Sequence, residues 1–237
     1  MPASYRLKSA VLLGLWVSFS ELAIAPSTLA APSSATGSPP APLRVVVNSN
    51  QDGPIQPDAA LTLREAIALT NGSLTRDRLS TAEQAQVTDL NANALARIEF
   101  NLPAEQTTIR LISVLPPLEN PGLVIDGTTQ PGYDAEKSAT AEINIPIPVV
   151  AITPAEGQEV FRGLTVVADG VTIRGLSLYG FNSRRQVPAS TPPADIFIAH
   201  RLPPPDTTQQ QPPNASFPFG AEDKPPQNVT IENNWLG

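Results

Sequence analysis

The chain has a single histidine, His200, followed directly by Arg201 and preceded five residues earlier by Asp195. These three flank one short β-branched run, Ile196-Phe-Ile198. Their types suit acid–base work on a sugar. A carboxyl or imidazole moves a proton, and a guanidinium neutralises a carboxylate on the substrate. They are the nearest approach to a catalytic set, and no set is assigned from them. On its own, His200 reads as an exposed loop residue. The other acids carry no Asp-Asp pair and no Asx-Thr-Asp string, so nothing announces the two facing carboxylates that a glycosidase needs. Asp126-Gly127 and Asp169-Gly170 read as tight bends. Tyr179, Phe217, Phe219 and Trp235 are the aromatic candidates for stacking on a sugar ring, while Phe181 and Phe197 are assigned to the core.

Composition removes several other chemistries. There is no cysteine, which excludes disulfides, thiol catalysis and Cys-zinc sites. One histidine excludes a His-cluster metal site. No cofactor is expected, and no metal is expected to be needed for folding. The 237 residues hold 15 Lys+Arg against 22 Asp+Glu, a formal charge of −7. Such a chain is poorly suited to nucleic acid, which needs clustered cations.

The N-terminus reads as an address. Arg6 and Lys8 precede an apolar run over residues 10–19, and Thr28-Leu-Ala30 offers small residues for cleavage after Ala30. Residues 1–30 are therefore expected to be a secretory signal peptide, and the product secreted or surface-bound. Removing Arg6, Lys8 and Glu21 leaves 13 basic and 21 acidic residues, a charge of −8. The alternative is an uncleaved anchor, but the run is well short of the ~20 residues that span a bilayer. No later segment is apolar enough to span one as a helix. Residues 31–42 form a Pro/Ser/Ala linker.

Order is expected from the strand Leu43–Val47. Residues 43–97 form an N-terminal strand and helical cap. Thr62-Leu-Arg-Glu65 is a capping box that opens a helix over 63–70, with Asn71-Gly72 as its stop. Ser80-Thr-Ala-Glu83 repeats the box and predicts a second helical stretch to about Ala96, with a break near Thr88. From residue 98 short β-branched runs alternate with Gly, Pro, Asn and Asp. They centre on 98–100, 108–112, 123–125, 149–152, 164–167, 171–173, 176–178, 196–198 and 229–231. Apolar residues recur at period two within them, so one face is buried. Gly163-Leu-Thr-Val recurs as Gly175-Leu-Ser-Leu, and Gly170-Val-Thr-Ile-Arg as Asn228-Val-Thr-Ile-Glu. Short strands joined by bends rather than hairpins fit a β-solenoid, with a β-sandwich as the alternative. Eleven of the 46 residues at 182–227 are Pro. They read as loops either side of one strand, with most of 202–227, like the linker, expected to be poorly ordered. Asn71, Asn214 and Asn228 head Asn-x-Ser/Thr triplets, and Asn233-Asn234 suggests amides bonding between coils at a bend.

Several of these elements also resemble a family. Leu61-Thr-Leu-Arg-Glu-Ala-Ile67 is similar to the SLREAI element that opens exported bacterial right-handed parallel β-helix proteins. Further elements follow in that family's order: Ile98–Pro103, Leu115-Pro116, Ile125–Tyr133, Gly163-Leu164, Val171–Leu176, Tyr179–Phe181 and Asn228–Gly237. The resemblance covers about 43–181 and 228–237. It implies a pectate-lyase-like right-handed β-helix over 98–237, capped by the 63–70 helix, on a secreted or adhesin-like protein. In that family the segment after Asn-Trp-Leu-Gly continues into more coils, so a truncated end, or a partner or further coils at the open end, is expected. The function expected is a non-catalytic surface, adhesion or carbohydrate-contacting module. The alternatives are a polysaccharide lyase or glycoside hydrolase, and a truncated fragment without independent function.

Overall fold

The computed structural model describes residues 41–183, 192–199 and 225–237. The segment expected to be a signal peptide, nearly all of the expected linker, Asn214 and the tract from His200 to Lys224 lie outside them.

Alternating β-branched residues build a strand with one dry face, and each strand here finds a partner far away in sequence. The strands are β1 (Leu43–Val47), β2 (Val87–Asp89), β3 (Arg97–Phe100), β4 (Thr108–Leu111), β5 (Val124–Asp126), β6 (Val150–Pro154), β7 (Arg162–Val166), β8 (Thr172–Arg174), β9 (Leu176–Leu178), β10 (Ala194–Ile198), β11 (Thr230–Glu232) and β12 (Trp235–Leu236). They form three sheets. Sheet I runs β2-β1-β3-β5-β8-β11, sheet II runs β4-β6-β9-β12, and sheet III pairs β7 with β10. A parallel bridge from Leu118 to Val166 extends sheet III. Among the named strand pairs of the described residues only β1–β2 is antiparallel. The protein is thus β-rich with parallel sheets. A β-sandwich, whose sheets are antiparallel, is not what these pairings make.

From β3 onward the chain visits sheets I, II and III in turn, with Leu118 serving for sheet III on the first pass. Register turns this order into stacked columns. Val45, Ile98, Ile125, Ile173 and Ile231 are successive partners in sheet I. Ile109, Ile152, Leu178 and Leu236 are successive partners in sheet II. All but the last of each column are fully buried, whereas Ile231 is 40% and Leu236 52% exposed. Ile198, the partner of buried Val166, is also exposed. Among the described residues, β10, β11 and β12 are each the last strand of their sheet.

Helix α1 (Leu63–Thr70) follows a complete Thr62–Glu65 capping box and packs against β1 and β3. Nearly all of α1 is buried. Its exception is Arg64, whose guanidinium grips Asp52 through both carboxylate oxygens, at 2.7 and 2.8 Å. It also donates to the Ser113 and Val114 carbonyls. The second capping box is present too, but its helix α2 (Thr81–Gln84) is only four residues long. The expected continuation toward Ala96 does not form. Val87 is instead buried and pairs with Val45, and Gln86 accepts a bond from the Val46 amide. Sheet pairing outweighs local helix preference there. No helix among the described residues is long and apolar enough to cross a membrane.

Candidate functional site

The outer face of sheet I carries the densest chemistry. Because side chains alternate, residues between the buried column positions point to the opposite face. Glu99, Asp126, Arg174 and Glu232 are successive register partners on β3, β5, β8 and β11. Arg44 and Arg97 are partners in the neighbouring row. The result is a ladder of charge across strands. Arg44 meets Glu99 at 2.7 Å, and Arg97 lies 3.6 Å from Glu99 and 3.5 Å from Asp126. Arg174 binds Asp126 through Nη2 and lies 3.8 Å from Glu232 through Nη1.

Asp126 is the centre. Its carboxylate also accepts from the Thr128 amide and hydroxyl. Burial pushes its pKa up, but the bonds from Arg174 and Thr128 and the Arg174 charge outweigh burial and hold it below the usual range. Arg174 is correspondingly raised, chiefly by the bond to Asp126. The bend expected at Asp126-Gly127 is present, a 3₁₀ turn over Gly127–Thr129 capped by the Asp126 side chain. Beside the ladder lies an open groove of about 590 Å³ lined by Leu95, Arg97, Thr172, Arg174, Thr230 and Glu232, among others.

Asp126 and Glu232 are thus two carboxylates sharing one guanidinium. Asp126 is not a general acid, which needs a carboxyl that keeps its proton. Asp126 is held ionised by its partners. Among the described residues no group of three or more His, Asp or Glu stands placed to hold a metal ion.

Of the sequence candidates, Asp195 lies on β10 in sheet III, away from the ladder. Its carboxyl is raised by burial, with the Gly237 amide acting against the shift. His200, Arg201, Phe217 and Phe219 lie outside the described residues. Tyr179 and Trp235 are both exposed, at 41% and 40%. The Trp235 indole N–H donates to the Pro146 carbonyl at 3.1 Å. Phe181 joins the core, but Phe197 does not. It is half-buried, and the Arg162 guanidinium stacks on it. Asn234 does bond between strands at a bend, accepting from the Leu176 amide and donating to the Ile173 carbonyl. Gly170 sits at φ +71°, and Asp169 beside it accepts from the Gln227 amide.

Sequence reasoning missed the ladder because its members lie tens of residues apart. The available signal was the repeat of Val-Thr-Ile-Arg174 as Val-Thr-Ile-Glu232, opposite charges at one repeat position. Compared with known protein families, curated proteins and solved structures, the chain matches none.

Proposed function

We propose that the chain is an exported, non-catalytic module of right-handed parallel β-helix architecture that contacts carbohydrate or a cell surface. The motif resemblance from Leu61 to Gly237 supports the architecture, as do the rotation through three parallel sheets and the stacked apolar columns. The charged N-terminal segment with its apolar run supports export. The observation that carries the non-catalytic reading is the ladder: its central carboxylate is committed to Arg174 and Thr128. What remains on that face is a groove with exposed guanidinium and carboxylate edges, suited to hydroxyl-rich ligands. The edges of β10, β11 and β12, unpaired among the described residues, suit a partner strand or a further coil.

A glycan array probed with the full chain tests this. Retention on a subset of glycans, weakened by Arg174→Met, is expected. Silence across the array would count against it. One observation favours the enzymatic alternative: the raised Asp195 carboxyl has the property of a general acid. Release of product from a polysaccharide, abolished by Asp195→Asn, would favour that reading.

A further inference from the structure

Arg162 is the one arginine among the described residues that is buried, at 3% exposure. Its Nε and Nη2 are closed off from solvent and have no hydrogen-bond partner among the described residues. Five other described arginines are placed differently. Arg44, Arg64, Arg76, Arg97 and Arg174 are more accessible, and each faces a carboxylate. A buried ion without a counter-charge is costly, and proteins offset it with a partner.

Two phenyl rings supply part of that offset. The Arg162 guanidinium carbon lies 4.0 Å from the centre of the Phe197 ring and 5.2 Å from that of Phe161. Ring faces attract a desolvated cation, but they make no hydrogen bond to its edge. Nε and Nη2 together form the side-on edge of the guanidinium, whose two parallel N–H groups match the two oxygens of a carboxylate. Asp195, on the paired strand β10, does not supply those oxygens: Ala194 is the register partner of Arg162, and the Asp195 carboxyl meets the Gly237 amide. Burial lowers the pKa of Arg162, as an uncompensated cation requires, yet an arginine stays charged.

We propose that the Nε/Nη2 edge of Arg162, between Phe161 and Phe197, is the binding site for the carboxylate of a small ligand. One carboxylate satisfies both free donors, and the rings contact the body that carries it. The acidic net charge of the chain argues for a single carboxylate rather than a polyanion. This site lies on sheet III and stands whether or not the groove on sheet I contacts glycans.

The test is calorimetric titration of the full chain with sodium benzoate and with sodium galacturonate, which place the same group on an aryl and on a sugar body. Benzamide and galactose are the neutral controls. Binding of at least one carboxylate at least about tenfold more tightly than its own neutral control is expected. Arg162→Met should weaken it at least about tenfold, and Arg162→Lys, which keeps the charge without the fork, should not restore it. Failure of both carboxylates to bind the unaltered protein overturns the proposal, and so does equal binding by Arg162→Met. The comparison with neutral controls decides the matter even where a variant does not fold.

Discussion

Asp126 and Arg174 are register partners on adjacent parallel strands and are joined by a charge-assisted hydrogen bond. The strand pairing that buries Ile125 against Ile173 therefore also aligns the two charges on the opposite face. One register serves both the core and the ladder, and a one-residue slip would destroy both.

Asp126→Ala is expected to destabilise the protein by about 2–3 kcal/mol. That is somewhat below the usual loss from breaking a buried pair, because Arg174 is partly exposed. Chemical denaturation measures it. An unchanged midpoint would mean that the bond contributes nothing.

The same residue contributes to the acid limb. Its pKa is lower folded than unfolded, so its stabilisation is complete above the ordinary carboxyl value of 3.8 and lost as pH falls through the folded value. Glu65 has the opposite sign. Its carboxyl is raised, first by burial and further by the nearby Glu83 charge, against bonds from Thr62 and Gln56. The stability it contributes is present below 4.5 and declines as pH rises through its folded value. Denaturation across pH should therefore show the deficit of Asp126→Asn shrinking toward acid. Glu65→Gln should gain on the wild type as pH rises above 4.5.

Glu83 is fully buried, and its Oε1 has no partner, while Oε2 accepts from the Ser80 amide. Glu83→Gln keeps a capping acceptor and removes a charge near Glu65. A stabilisation of roughly 1 kcal/mol near neutral pH is expected, with a higher melting temperature. A lower one would show that the charge is needed.

Glycines separate two kinds of constraint. A Cβ at Gly127 would fall on the Gly175 carbonyl oxygen, backbone to backbone. Gly127→Ala should cost about 3 kcal/mol, the upper range for overpacking. Gly132 has φ +94° but open space around its Cβ position. Gly132→Ala should cost only about 1–2 kcal/mol of backbone strain. Equal losses would contradict the close approach of the two bends.

Much of this architecture was legible because short β-branched runs announce strands by themselves. β2 and β12 were not. The Ser80 capping box masked the first, and Trp235-Leu236 is too short to show alternation. Pairing over long separations is invisible locally, so the ladder was missed. Arg162 also passed unnoticed: it precedes the Gly163-Leu-Thr-Val run, and only β10, returning beside β7, brings Phe197 under it. The sequence candidate of that region, Asp195, was found beside it but without a described catalytic partner.

The most direct test of the central claim uses the full chain and a panel of polysaccharides, reading retention and product release from the same samples. Retention on at least one polysaccharide with its chain length unchanged is expected. Shortening of any polysaccharide, or retention on none, would contradict it.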